Sequence, residues 1–204
     1  MHPPRSTLIL MLKEPQPGLV KTRLGRDTGM VTAAWWFRHQ TRRLICETAD
    51  PRWRTVISLS PDSAVPGSRF YPAGIERWPQ GGGDLGTRMK CALARAMPGP
   101  ALLIGGDIPG VNRRHVAHAF RLLRSTDVVL GPATDGGFWA VGIKGPRVPP
   151  TLFADVRWST EHALADTVNG LRGCKIALAS EMTDADTIAD LAPRDIRATP
   201  LRIR

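Results

Sequence analysis

Short apolar runs alternate with amphipathic segments along this chain. Apolar runs bounded by Gly, Pro and Asp are typical of buried β-strands, whereas apolar residues spaced by three and four are typical of helices. The first pattern predicts strands over 7–12, 55–60, 101–104, 127–130 and 138–144, with weaker signals over 75–78 and 175–179. The second predicts helices over 30–48, 87–97, 113–124 and from 159 or 160 to 171, with a short helix over 184–191. This alternation predicts one α/β domain over residues 1–204, built on a doubly wound, mostly parallel sheet.

The run over 101–104 marks the expected centre of the sheet. Its residues, ALLI, are apolar without alternation, which indicates a strand covered on both faces. Asp107 follows Gly105 and Gly106 directly, and Pro109 stops the strand from continuing. In open α/β sheets, ligands bind just beyond the carboxyl ends of the strands. Asp107 is therefore either a metal ligand at such a strand end or the cap of the following turn or helix.

Composition narrows the class of protein and its partners. The 204 residues are 42% hydrophobic and 23% charged, which is ordinary for a globular protein with a full core. No apolar run approaches the roughly 20 residues of a membrane span, and the 3 cysteines form neither a disulfide framework nor zinc-ligand spacing. We therefore expect a cytoplasmic protein. The net charge of +10 suits nucleic acid, an anionic membrane or phosphorylated small molecules, but no dense basic block with interleaved aromatics is present, so most of this charge is interpreted as surface.

A basic loop follows the first predicted strand. Its sequence, KEPQPGLVKTRL over 13–24, places Lys21 and Arg23 two residues apart beside backbone amides, which suits a phosphate clamp. The loop is neither a Walker A loop nor a dinucleotide fingerprint, because the required glycine spacing is absent. A solvated basic turn before a helix is the alternative.

Two further segments carry glycine and carboxylate. The loop GGGDLG over 81–86 leads into a predicted helix and could approach an anion, although Asp84 could equally be a helix cap and the loop an ordinary surface connection. Asp135 follows the strand over 127–130, so that with Asp107 it places two carboxylates at neighbouring strand ends. Mg²⁺ typically takes one or two carboxylates together with phosphate oxygens and waters. The Asp-Gly-Gly sequence that begins at Asp135 is also a common hairpin turn.

The other chemistry-bearing residue types give no site. Trp35, Trp36 and Trp158 are interpreted as core residues rather than as part of a binding site. No spacing of Ser, Cys, His and Asp assembles a nucleophilic triad. The candidate chemistry is thus confined to the ends of the predicted strands and the loops that follow them.

Taken together, the motifs resemble one family from about residue 7 to 191. The segment over 13–24 resembles the K-x-P-x-P-G-x-V-K-T-R-L signature of the selenodomain-associated transferase family, whose members are labelled glycosyltransferases of unknown function. Later blocks similar to that family's are GDLGTRM over 83–89, GGDIP over 105–109, LGPATDGGF over 130–138, VRWST over 156–160 and DADT over 184–187. The first and fourth of these six blocks are long and specific, and the others are short.

The resemblance implies a nucleotide-diphospho-sugar transferase fold of the GT-A type, related to guanylyltransferases for the molybdenum cofactor and for phospholactate. In those relatives the first loop holds nucleotide phosphates, and an Asp at the end of a central strand binds the divalent metal. Carried over, Lys21, Arg23 and Asp107 are the expected catalytic residues, and Asp107 with Asp135 are the expected ligands of Mg²⁺ or Mn²⁺. The implied nucleotide-binding residues are Lys13, Gly18, Lys21, Arg23, Gly83 and Asp84.

The chain departs from the family's pattern near two of these positions. Gly106 and Ile108 flank the aspartate where Ser and Cys are usual, and Gly110 stands where Leu is usual. Phe138 replaces a common Tyr after the Asp-Gly-Gly sequence, so a hydroxyl contact is lost there. Neither departure removes a charged group of the expected site.

These residues predict a metal-dependent transferase that uses a nucleotide or a nucleotide-sugar and an unidentified acceptor. Nucleotidyl and glycosyl transfer both stay open, because the same groups would hold either a pyrophosphate or a nucleoside diphosphate leaving group. The alternative is a non-catalytic nucleotide-binding or nucleic-acid-binding module on the same fold. Nucleic acid is disfavoured as a partner, since the basic residues are not clustered.

Overall fold

The described part of the chain alternates strands with helices. The structure is a computed structural model that describes residues 6–96, 98–145 and 147–183. Its strands are β1 (Ser6–Lys13), β2 (Trp53–Ser60), β3 (Glu76–Pro79), β4 (Ala101–Gly105), β5 (Val128–Pro132), β6 (Phe138–Ile143) and β7 (Ile176–Leu178). Its helices are α1 (Thr22–Thr28), α2 (Met30–Thr48), α3 (Leu85–Arg95), α4 (Arg113–Leu122) and α5 (Ala163–Gly170), with a 3₁₀ turn over Asp62–Ala64. Every strand that the sequence predicts is present, within a few residues at its ends.

These strands form one sheet, in the order β3-β2-β1-β4-β6-β5-β7. β4 lies at the centre and pairs in parallel with β1, where Leu102 lies beside Leu8. Among the described strands only β6 is reversed, running antiparallel to its neighbours β4 and β5. The carboxyl ends of the other strands therefore meet at one edge of the sheet, and β6 begins at that same edge. The expected mostly parallel sheet is confirmed.

Helices cover both faces of this sheet. On one face, Leu44 of α2 and Val116 of α4 pack with Leu10 of β1 in one buried cluster. On the other face, Leu93 of α3 packs in a second cluster with Ile9, the neighbour of Leu10 along β1. Successive side chains of a strand point to opposite faces, so β1 buries both of its faces and is apolar without alternation. The doubly wound architecture is thus confirmed.

The short helix α1 is the element that hydrophobic periodicity does not predict. It follows the proline-rich loop and packs on α2, where Leu24 lies in a buried cluster with Ala33 and Phe37. A helix of 7 residues makes only about two turns. Its buried positions therefore do not recur often enough to give a readable pattern.

The helix α5 begins later than the sequence predicts. It starts at Ala163 rather than at Ser159 or Thr160, because Ser159 has a left-handed φ of 61° and the residues around it form turns. Residue 97 of the helix predicted over 87–97, the predicted helix over 184–191 and the DADT block lie outside the described residues. No described helix combines the length and apolarity that a membrane span needs. The expected cytoplasmic location stays a prediction.

Candidate active site

A cleft of about 740 Å³ opens at the edge of the sheet where the parallel strands end. Five of the residues expected at a site line it: Lys13, Lys21, Arg23, Asp107 and Asp135. The other three, Gly18, Gly83 and Asp84, are not among its lining residues. The fold thus brings the charged residues that follow β1, β4 and β5 into one space.

Lys21 and Asp107 form an ion pair within this cleft. The Lys21 Nζ lies 3.0 Å from Asp107 Oδ1. The lysine side chain is only 5% exposed and lies over the Trp36 ring, 5.8 Å from its centroid, whereas the Asp107 side chain is 52% exposed. A buried charge is costly without a partner, and the carboxylate and the aromatic face both attract this amine. Asp107 thereby holds a buried cation while part of its carboxylate stays accessible from the cleft.

The backbone of Lys21 is in an uncommon conformation. Lys21 precedes the first turn of α1 with φ 46° and ψ 46°, and its carbonyl accepts a hydrogen bond from the Gly25 N–H at 2.8 Å. For a residue other than glycine this left-handed region costs about 1–2 kcal/mol. The burial of Val20 and Leu24 against α2 on either side holds the chain there. Backbone strain of this kind clusters at functional sites. The conformation of Lys21 therefore supports its choice as a candidate site residue.

One alternative for Asp107 is that it caps the following helix, and the structure excludes that helix cap. The helix α4 is capped by Asn112, whose Oδ1 accepts a hydrogen bond from the Arg114 N–H at 2.9 Å. The nearby His115 completes a capping box through its Nδ1, which accepts from the Asn112 N–H at 3.2 Å. Asp107 is therefore not the cap of α4, and its carboxylate lines the cleft instead.

Asp84, in contrast, is a helix cap. Its Oδ1 accepts a hydrogen bond from the Thr87 N–H at 2.8 Å at the start of α3. The pKa of Asp84 is lowered, chiefly by hydrogen bonds from Thr87 and less by a hydrogen bond from the Trp158 side chain and the charge of Arg88. The glycine loop over 81–86 thus ends in a firmly capped helix.

Asp135 lies in the turn that joins β5 to β6. Its Oδ1 accepts a hydrogen bond from the Gly137 N–H at 2.9 Å, and Gly136 has φ 82°, so the hairpin turn is present. Asp135 also lines the cleft. The expectation that Asp107 and Asp135 end neighbouring strands is wrong, because β6 lies between β4 and β5. The two carboxylates still reach one cleft, because β6 begins at the edge where β4 ends.

The two carboxylates suit a hard divalent cation. Among the described residues, no group of three or more His, Cys, Asp or Glu side chains is arranged to hold a metal ion. Asp107 and Asp135 instead offer two oxygen donors beside an open cleft. Mg²⁺ is usually bound by one or two carboxylates together with substrate phosphates and waters. The donor set therefore fits Mg²⁺ or Mn²⁺ held jointly by protein and substrate.

Two polar residues of the cleft, Gln80 and Arg88, are not singled out by the sequence. The buried Gln80 Nε2 donates hydrogen bonds to the carbonyls of Leu12 and Ser58, both at 2.9 Å, and so ties together the ends of β1 and β2. Its Oε1 accepts from Arg88 Nη1 at 3.1 Å. This arrangement fixes a further guanidinium cation in the wall of the cleft. The sequence offers one signal that these two residues belong to the site, which is that they flank the glycine loop.

The tryptophans correct the expectation that all three belong to the core. Trp36 is 7% exposed in the cluster between α1 and α2, as expected. Trp35 is 39% exposed on α2. Trp158 is half-buried and lines the cleft beside Phe138. Apolar and aromatic side chains line ligand pockets as well as cores, so residue type alone does not separate the two.

Comparison with solved structures shows the class of fold. A protein from Desulfovibrio desulfuricans, described as a "putative nucleotide-diphospho-sugar transferase", is 30% identical, with a TM-score of 0.84, over 91% of this chain and 84% of that chain. Rv0371c from Mycobacterium tuberculosis, in complex with manganese, is 15% identical, with a TM-score of 0.54, over 91% of this chain and 95% of that chain. The inositol-1-phosphate CTP transferase from T. maritima is 13% identical, with a TM-score of 0.58, over 93% and 92%. The chain therefore has the fold of the nucleotide-diphospho-sugar transferases.

The chain belongs to the family described as "Uncharacterized protein conserved in bacteria (DUF2064)", whose model matches residues 45–160. The matched region includes Asp107 and Asp135 and begins after the loop of Lys21 and Arg23. The resemblance drawn from the sequence motifs is confirmed at the level of family and fold. Among curated proteins, none matches this chain significantly.

Proposed function

We propose that this chain is a metal-dependent transferase that acts on a nucleotide or a nucleotide-sugar, by nucleotidyl or glycosyl transfer. The observation that carries this proposal is the ion pair between Lys21 and Asp107 in a cleft that Asp135 also lines. It places a fixed cation beside a carboxylate at the carboxyl end of the central strand, where α/β sheets bind ligands. Transfer from a phosphate centre uses both kinds of group, since cations stabilise phosphate oxygens and carboxylates hold the divalent ion.

Four charged residues of the cleft have roles in this proposal. Asp107 and Asp135 hold Mg²⁺ or Mn²⁺, which when bound supplies positive charge next to the phosphate oxygens. Lys21 and Arg23 donate hydrogen bonds to those oxygens and stabilise the negative charge that develops on the leaving phosphate. Because the Lys21 amine is already fixed beside Asp107, it needs little reorganisation when the substrate arrives.

The nucleotide is proposed to bind to the segments that surround these charged residues. Lys13 at the end of β1 and Gly18 in the following loop are proposed to contact it, together with the residues before α3. Among the residues before α3, Gly83 has φ 92°, a backbone conformation that residues with a side chain rarely adopt. Since the carboxylate of Asp84 is used as the cap of α3, its contribution is to hold the amino end of that helix in place.

The descriptions of the similar proteins support a role of this kind. The Desulfovibrio desulfuricans protein is described as a "putative nucleotide-diphospho-sugar transferase", Rv0371c was solved with manganese, and the T. maritima protein is described as an inositol-1-phosphate CTP transferase. Our proposal adopts the nucleotide-related transfer that the first and third descriptions name and the divalent ion that the second names. A cytoplasmic location, where nucleotides are available, is part of the proposal.

The variant Lys21→Met tests the phosphate clamp. We expect metal-dependent turnover to fall by about 10²–10³-fold, the loss typical of removing one preorganised charge-stabilising donor. Turnover is measured as pyrophosphate released from a panel of nucleoside triphosphates with sugar phosphates, and as nucleoside diphosphate released from nucleotide-sugars. The first product assigns nucleotidyl transfer and the second assigns glycosyl transfer. Lys144→Met, which removes an exposed lysine just after β6, is the control and should retain the wild-type rate.

A non-catalytic nucleotide-binding or nucleic-acid-binding module on this fold is the competing function. It predicts that a ligand binds but that neither pyrophosphate nor nucleoside diphosphate is released by the wild-type protein. Equal turnover by Lys21→Met and Lys144→Met would also contradict the role proposed for Lys21.

A further inference from the structure

Aromatic rings form one wall of the cleft. Phe138 and Phe153 are stacked, with ring centroids 5.9 Å apart and planes inclined by 5°. Trp158 meets Phe138 and Phe153 at steep angles, with centroid distances of 6.2 and 5.5 Å. Phe138 and Trp158 line the cleft, whereas Phe153 is 7% exposed. These three residues, called here the aromatic wall, have no part in the charge chemistry proposed above.

The aromatic wall is held in place by its neighbours. A Cβ added at Gly86 of α3 would lie 2.8 Å from Trp158 Cζ2 and 2.9 Å from Phe153 Cβ, so the helix packs against the rings without room for a side chain. Next to Trp158, the Arg157 guanidinium donates two hydrogen bonds of 2.8 Å to the Asp166 carboxylate of α5. Arg157 also donates its backbone N–H to Asp166 at 3.1 Å. The rings therefore present a preorganised surface to the cleft.

The polar residues that directly follow Trp158 in the chain carry two hydroxyls and a carboxylate. These residues, Ser159, Thr160 and Glu161, line the cleft, and Asp135 lies in the turn next to them. The two segments are in close contact, since a Cβ added at Gly136 would collide with the backbone carbonyl of Glu161. A ligand at the aromatic wall therefore meets aromatic side chains bordered by hydrogen-bond acceptors.

The aromatic wall and the phosphate clamp lie over different strands. Lys21 and Arg23 follow β1, Phe138 begins β6, and β4 with Asp107 lies between those strands in the sheet. The cationic side suits phosphate, whereas the Glu161 carboxylate near the aromatic wall would repel a phosphate group. A sugar ring fits the second side, because its C–H faces are complementary to the negative face of an aromatic ring. Its hydroxyls can donate hydrogen bonds to the Glu161 carboxylate and exchange them with the Ser159 and Thr160 hydroxyls.

We infer that the aromatic wall is a subsite for an uncharged, polyhydroxylated six-membered ring, the sugar or cyclitol part of the donor or the acceptor. The inference rests on the proposed function, in which the phosphate attached to that ring reaches the clamp. It goes beyond the proposed function by assigning the side chains that recognise this ring.

Ligand-observed saturation-transfer NMR on the full chain tests this subsite. The probes are methyl α-glucopyranoside, myo-inositol, cytidine and guanosine, without phosphate or metal. We expect saturation of the ring protons of at least one of the first two probes. Trp158→Leu should weaken that binding about tenfold, the order expected for one stacked aromatic face, and Trp158→Phe should restore most of it. Trp35→Leu is the matched control, because Trp35 is exposed on α2 and does not line the cleft.

A second variant keeps the test valid if Trp158→Leu fails to fold. Phe138→Leu removes a ring of the same wall and should give the same loss of binding. Saturation confined to the two nucleosides would overturn the inference, as would no saturation of either polyhydroxylated probe or an equal loss in Trp35→Leu. Failure of the proposed function would look different, because it is read from metal-dependent binding and turnover of nucleotides or nucleotide-sugars. A protein that binds the neutral ring but no nucleotide would keep the subsite and lose the function.

Discussion

At the scale of single residues, the missing side chain of Gly86 decides how closely α3 approaches the cleft. The atom that a Cβ would meet in Phe153 is itself a Cβ, which cannot rotate away as the end of a long side chain can. Any larger residue must therefore move the helix or the aromatic wall. Small changes of this kind are felt because protein interiors are close-packed.

Gly86→Ala should destabilise the protein by about 1–3 kcal/mol, the usual cost of overpacking a well-filled site. Urea unfolding measures the free energy of unfolding directly. Gly82→Ala is the control, because Gly82 has no atom within 4 Å of an added Cβ and has no left-handed φ. Equal stability of the two variants would show that α3 and the aromatic wall are not in the contact described.

Most charged residues of the candidate site, with the exceptions of Arg88 and Glu161, could be predicted from the sequence, and the aromatic residues could not. Asp107 and Asp135 are found because carboxyl ends of strands collect ligand-binding groups. The pairing of Lys21 with Asp107 joins loops that are distant in sequence, so no local pattern contains it. Trp158 follows no pattern that separates a pocket wall from a core, and it is recognisable only once α3 and β6 are placed beside it.

At the scale of elements, hydrophobic periodicity predicts long helices, in which buried positions recur, and misses short ones. The helix α2 spans 19 residues, and its buried side chains recur often enough to define it. The helix α1 is too short for that. The reversed direction of β6 is also absent from the sequence pattern, because alternating or continuous burial reads the same along a strand in either direction.

The segment that carries Trp158 is fastened to α5 by a pH-sensitive ion pair. Hydrogen bonds from Arg157 lower the pKa of Asp166 from 3.8 to about 2. A carboxylate with a lowered pKa in the folded state stabilises that state above its unfolded pKa and loses the effect as the pH falls through about 2. Asp166→Asn should therefore lower the free energy of unfolding at pH 7 and lower it by less near pH 2.

Urea unfolding at pH 7 and near pH 2 measures this difference. Glu181→Gln, which changes an exposed carboxylate beyond β7, is the control and should show no such pH dependence. The role of the ion pair is contradicted if Asp166→Asn is destabilised by the same amount at both pH values.

At the scale of the whole molecule, the net charge of +10 has to be reconciled with a small-molecule site. Lys21, Arg23 and Arg88 account for part of it within one cleft. Most of the remaining cations lie elsewhere on the chain, and several pair with carboxylates, as Arg43 does with Glu47. The cations that line the cleft therefore favour anionic substrates there.

Binding of nucleic acid should accordingly be weak and sensitive to salt. We expect dissociation constants for random-sequence single-stranded and duplex DNA no tighter than about 10⁻⁶ M at physiological salt, the range of non-specific binding. Fluorescence anisotropy at 50 and 200 mM salt, the range over which such contacts are lost, is the measurement. Nanomolar binding that survives the higher salt would favour the nucleic-acid-binding alternative.

Isothermal titration calorimetry of nucleotides with and without Mn²⁺ tests the central claim most directly. We predict that the wild-type protein binds at least one nucleoside triphosphate or nucleotide-sugar in the presence of Mn²⁺, and that a chelator abolishes most of that binding. Asp107→Asn should weaken it at least about tenfold, as expected for the loss of one charged ligand, while Glu47→Gln on α2 should leave it unchanged. A wild-type protein without metal-dependent nucleotide binding, or an Asp107→Asn variant that binds as the wild type does, would contradict the account.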